Sequence, residues 1–183
     1  MRDAARLILR GVTGTLMAGH GAQKLFGWFE GPGLSGTTAM LSSMRFRSAD
    51  RWALLAAGSE FGGGVLTALG FLDPLGPMGI AAAMGMAGTT AHWGKPIWTT
   101  KGGAELPLTN ATIATALALV GPGRYSLDHV LGIKPPRWVL IPAALVYLLA
   151  GLASGHLWRN LLPSAEEFRP ASQIGRASCR ERV

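Results

Sequence analysis

Between Ala53 and Leu72 the chain carries a single charged residue, Glu60. No other feature constrains the fold as tightly. As a helix, twenty residues rise about 30 Å, the thickness of a bilayer's hydrocarbon core. A helix in water needs a polar face, and this one has none. Further apolar stretches occupy 7–26, 75–93, 106–120 and 138–158. Charged residues make up 15% of the chain, against about 25% in a soluble domain. The expected fold is all-α: a polytopic membrane helical bundle of four or five spans rather than a water-soluble one.

Each stretch is punctuated by backbone chemistry. The first is interrupted by Arg10, His20 and Lys24. Its leading Arg2 and Arg6 resemble the start of a signal peptide. Arg10 breaks the apolar region, however, and no clean cleavage site follows, so the segment is expected to stay as a membrane helix. A polar connection at 27–51 has room for a short helix near Thr37 to Ser43. Asp73-Pro74 predicts a tight turn, because proline biases its predecessor away from helix. The 106–120 stretch is short for a span, so it starts earlier near Lys101, tilts, or is partly re-entrant. Gly121-Pro122-Gly123 stops it, and 138–158 is long enough to cross.

Small residues recur at four-residue spacing at Gly11, Thr15 and Gly19, at Gly58 and Gly62, at Ala81 and Gly85, and at Gly151 and Gly155. Such rows are expected to let helix backbones approach closely in lipid.

The formal net charge is +7. The Arg and Lys residues sit between apolar stretches and at the ends, as membrane proteins place them. No basic helix face interleaved with aromatics exists, so nucleic acid is excluded as a partner. The basic residues divide too evenly between the two sides to set an orientation. The last ten residues, 174–183, look like an in-frame translation of a sequencing-adapter oligonucleotide and are set aside. Removing their three Arg and one Glu takes the charge to +5, and also removes Cys179, the only cysteine. With no thiol left, Cys nucleophiles, CxxC redox pairs and Cys-ligated metals drop out. Redox chemistry would then use a bound cofactor or a quinone.

Glu60 sits mid-helix, where a charge costs about 2.5–3.5 kcal/mol on insertion scales. Its helical neighbours Ala56, Ala57, Gly63, Gly64 and Thr67 are small, so it is expected to face the bundle interior. The natural partner is Lys24, four residues after His20 on one helix face. Such a pair serves equally as a structural ion pair or as a proton-handling site. Glu105, after Gly102-Gly103, either caps a helix N-terminus or joins Lys24 and Glu60 in one cluster. His20 is the candidate cofactor contact; a haem shared with His92 is conceivable, but no spacing favours it. No metal site is expected. Gly31-Pro32-Gly33-Leu34-Ser35-Gly36 matches G-x-G-x-x-G in form only, because no strand precedes it.

Several of these residues fall in a familiar order. They are His20-Gly21-Ala22-Gln23-Lys24-Leu25-Phe26-Gly27, Glu60-Phe61-Gly62-Gly63-Gly64, Gly102-Gly103-Ala104-Glu105-Leu106 and Gly121-Pro122-Gly123-Arg124-Tyr125-Ser126-Leu127-Asp128. In this the chain resembles the DoxX family of bacterial membrane proteins. The resemblance implies a four-helix membrane domain over 5–130, with an additional helix at 131–160 and a tail at 161–173 beyond it. Lys24, Glu60, Glu105 and Asp128 fall on family positions. The founding relatives are subunits of a thiosulfate:quinone oxidoreductase. The implied role is thus a subunit of a quinone-linked complex, multi-pass in the bacterial inner membrane, touching lipid and a partner protein. By their placement in the apolar spans, and not by the resemblance, Lys24, Glu60 and Glu105 are the expected working groups. A non-enzymatic scaffold or assembly subunit, and a small proton-coupled carrier, are the alternatives.

Overall fold

A computed structural model describes residues 1–46, 48–134 and 138. Apart from Trp138, the expected fifth segment at 138–158 lies outside the described residues, as do the tail and the last ten residues.

Four longer helices carry the architecture: α1 (Arg2–Phe26), α3 (Ala49–Leu69), α4 (Leu75–Thr90) and α5 (Glu105–Val120), with a short α2 (Gly33–Ser43) between the first two and a terminal turn α6 (Leu127–Val130). No strand occurs among the described residues. α1 packs along α3, α3 along α4 and α4 along α5, while α2 lies across α1 and α3. The result is a helical bundle, as expected.

The helix ends follow from local chemistry. Gly27 stops α1 in the left-handed region, at φ 75°, where only glycine is free of a Cβ clash. α3 ends in a Schellman motif: Gly70 N–H reaches the Thr67 carbonyl at 3.1 Å and Phe71 N–H the Leu66 carbonyl at 3.0 Å. Pro77 and Pro107 sit in the first turns of α4 and α5, where a missing N–H costs nothing.

Among the described residues, only α3 is both long enough and apolar enough to cross a membrane by itself. α4 and α5 have 16 residues each, about 24 Å of helix, which is short of a full hydrocarbon core.

The core is built from small and flexible side chains. Met17, Ile80, Ala83, Met84 and Ala114 form its centre. A second cluster of Leu41, Ala49 and Ala53 anchors α2 to the start of α3. Around these, the outer face of α1 exposes Ile8, Val12 and Leu16, and that of α3 exposes Leu54 and Leu55. An outer surface this apolar suits lipid or protein, not water.

The close approach of α1 and α3 corrects one expectation. A Cβ built at Gly11, Gly19, Gly58, Gly62 or Gly85 meets nothing within 4 Å, so these glycines do not make the close approach. The seam runs instead through Gly14 and Gly21 of α1, seven residues apart. A Cβ at Gly14 would strike Gly64 and Ala68, and one at Gly21 would strike the backbone of Phe61. A spacing of four identifies a stripe but not which way it faces, and only the partner helix settles that. Gly64→Ala is therefore expected to destabilise by about 3 kcal/mol through overpacking. Gly58→Ala, on the open side, should change stability by less than about 1 kcal/mol. Unfolding midpoints in detergent test the contrast, and equal effects at the two positions would count against this seam.

Candidate functional site

The tight seam brings the α1 and α3 backbones close enough for two charged side chains to meet. Lys24 Nζ donates to Glu60 Oε1 at 2.5 Å and to Oε2 at 2.6 Å. The Glu60 side chain is 2% exposed and that of Lys24 is 31% exposed. Glu60 shares its buried face with Ala53, Ala57, Gly64 and Thr67, the small-residue environment its neighbours predicted. The lysine reaches inward from near the end of α1, so its stem is half-covered while its head lies on the carboxylate. As a pair they are neutral, which is what permits a carboxylate at this depth. Two of the three ammonium donors go to Glu60.

The pair borders a cavity of about 70 Å³. α2 contributes Thr37, Met40, Leu41 and Met44 to its wall; α3 adds Ala56 and α4 adds Met86 and Thr90. The walls are mostly apolar, and among the described residues Lys24 with Glu60 supplies the only charge on them. The Thr37 hydroxyl is shared between the Gly33 carbonyl at 2.8 Å and the Lys24 carbonyl at 3.3 Å. It ties α2 to the end of α1 directly above the ion pair.

The other expected site residues lie elsewhere. Glu105 accepts a hydrogen bond from Thr99 N–H at 2.9 Å through Oε2. It holds the turn before α5 and does not line the cavity. His20 stands exposed on the outside of α1, also away from the cavity. Although it is one turn from Lys24, the Lys24 stem bends toward α3 while His20 points outward. His92 Nδ1 lies 2.7 Å from the Gly102 carbonyl, within the loop joining α4 to α5. No group of three or more His, Cys, Asp or Glu side chains suited to a metal ion occurs among the described residues.

At the other end of the bundle is a second polar cluster. Asp128 is 1% exposed. Its Oδ1 accepts from Leu72 N–H and its Oδ2 from Asp73 N–H, both at 2.8 Å. Arg10 is buried beside it and donates to the carbonyls of Ala68 and Tyr125. Together they fasten the segment after α5 onto the α3–α4 turn. Arg10 lies fourteen residues from Lys24, about 21 Å along the helix. Sequence reasoning treated Arg10 only as a break in an apolar run. The signal that singled out Glu60, a lone charge where insertion is costly, applied to it equally.

The family model described as DoxX matches residues 5–93. The chain belongs to the DoxX family. The match runs through α1 to α4 of this DoxX protein and contains both Lys24 and Glu60, whereas Glu105 and Asp128 lie beyond it. No curated protein and no solved structure matches the chain. Membership makes this DoxX chain a membrane protein in contact with the bilayer. The exposed apolar faces of α1 and α3 are surfaces suited to that contact.

Proposed function

We propose that this DoxX protein is a multi-pass component of the bacterial inner membrane and a subunit of a quinone-linked oxidoreductase. The observation that carries the reading is the Lys24–Glu60 pair on the wall of an otherwise apolar cavity. A quinone head group is flat, uncharged and apolar, with carbonyl oxygens that accept hydrogen bonds. The cavity matches that chemistry: carbon and thioether walls, and one ammonium with a donor left for an acceptor. Lys24 would hold the carbonyl, and Glu60 would relay a proton to it. Reduction takes two electrons and two protons. By the family resemblance the electrons come from thiosulfate, two ions of which join as tetrathionate, and a partner subunit delivers them.

In native membranes containing the protein, thiosulfate-dependent quinone reduction is expected. Glu60→Gln should lower it by about a hundredfold or more, the usual weight of a positioned proton carrier. Activity equal to that of membranes lacking the protein, or untouched by Glu60→Gln, would end this reading.

A second reading, an assembly subunit without chemistry of its own, is favoured by the outer face of α1. There an exposed His20 continues the stripe of exposed Val12 and Leu16, beside the open Gly19. A polar ring on a lipid-facing surface is costly, so a partner protein is the natural cover. Purification should then recover a second protein in fixed ratio, and purification of the chain alone would count against it.

A further inference from the structure

The connection between α4 and α5 is irregular, but its backbone is bonded to itself. Glu105 N–H donates to the Ile97 carbonyl at 3.0 Å, and the Trp98 carbonyl accepts from Lys101 N–H and Gly103 N–H, both at 3.0 Å. Thr99 N–H is taken by Glu105 Oε2, and Pro96 has no N–H to satisfy. A Cβ at Gly103 would strike the carbonyls of Pro96 and Ile97, so the two arms of the loop lie in backbone contact.

Its large side chains are left outside this brace. Ile97 is 44% exposed and Trp98 59% exposed. A braced backbone does not turn them inward, so they form an apolar tip suited to something other than water. Lys95 and Lys101 flank the tip, both exposed. Lys95 gives one donor to the Ala91 carbonyl and keeps two. The segment's one carboxylate, Glu105, is turned back onto the loop. An apolar tip between two lysines is complementary to a phospholipid surface, whose acyl region takes the indole and whose phosphates take the ammonium groups. The helices that the loop joins favour the same partner. α4 and α5 have 16 residues each, which leaves them about 6 Å short of a hydrocarbon core. A tip seated in the interface makes up that length. The connection after α1, at the same end of the bundle, exposes Trp28 and Phe29 as well.

We infer that residues 95–101 are an interfacial anchor: Ile97 and Trp98 enter the bilayer at the level of the upper acyl chains, and Lys95 and Lys101 hold the phosphates of anionic phospholipids. A backbone already bonded to itself has fewer N–H groups to desolvate on entry. The inference rests on the bilayer contact that family membership gives and not on the quinone reading, so each can fail without the other.

Trp98 is its own probe. The full chain, keeping Trp98 and carrying phenylalanine at every other tryptophan, is reconstituted in phosphatidylcholine vesicles holding a small share of brominated lipid. Bromine high in the acyl chain should quench Trp98 fluorescence more than bromine near the chain end. At equal share, brominated phosphatidylglycerol is expected to be roughly fivefold enriched at Trp98 over brominated phosphatidylcholine, the weight of one lysine near an anionic surface. Lys95→Gln/Lys101→Gln should abolish that preference and leave quenching by phosphatidylcholine as it was, while Lys95→Arg/Lys101→Arg should retain the preference. Equal quenching by the two lipids in the unaltered loop would overturn the inference. So would a Trp98 that neither lipid quenches: if acrylamide reaches it, the tip stands in water, and if acrylamide does not, a protein covers it.

Discussion

Lys24→Met is expected to destabilise the protein by about 3–5 kcal/mol, the cost of leaving a buried carboxylate without its counter-charge. Glu60 is 2% exposed, so only the few waters that the cavity holds could replace the ammonium, and they bring no counter-charge. Both carboxylate oxygens rest on the same Nζ, and one substitution strips both contacts. The double variant Lys24→Met/Glu60→Met should recover most of the loss, since apolar side chains of similar volume tolerate this setting. Unfolding midpoints for the four members of the cycle measure the coupling directly. A single variant that costs less than about 1 kcal/mol would show that the pair does not hold the seam. The cycle also separates structure from function: on the proposed reading, the double variant is folded yet inactive in quinone reduction.

Asp128→Ala is expected to cost about 3 kcal/mol. The substitution removes the acceptor from two backbone N–H groups, those of Leu72 and Asp73. A donor left buried and unpaired loses its full desolvation cost, and bonds to a carboxylate are stronger than neutral ones. Burial of Asp128 to 1% leaves no route for water to replace it. Amide exchange should accelerate at Leu72 and Asp73 ahead of the rest of α3 and α4. Asp128→Asn, which keeps one acceptor oxygen, should fall between the wild type and Asp128→Ala. Exchange at Leu72 that is unchanged in Asp128→Ala would show that the α3–α4 turn holds without the clasp.

The two clusters contrast in what could be foreseen. Glu60 was legible because it is a charge where charge is expensive and has small neighbours on its helical face, and Lys24 because it is the natural counter-charge on the preceding helix. The same cost of burying a charge applies to Arg10, which lies inside the first apolar run. Asp128 was visible only as a motif position, because its partners are backbone amides more than fifty residues away. Glu105 had the right residue type and a plausible motif, yet its carboxylate turns to Thr99 N–H. α2 was anticipated as a short helix, but its place above the ion pair was not, since nothing in residues 33–43 names the surface they cover.

Local chemistry thus determined the helices and their ends: apolar runs too poor in charge for water, glycines at left-handed stops, prolines in first turns. It also determined that a buried charge at position 60 needs a partner, because desolvation depends on the residue itself. The tertiary structure decided phase and proximity. It chose Gly14 and Gly64 over Gly11 and Gly58 for the seam, turned His20 outward and Lys24 inward, and laid α2 across the cavity. Helical periodicity states which residues share a face, but the direction that face looks is a property of the neighbouring helix and is absent from the segment itself.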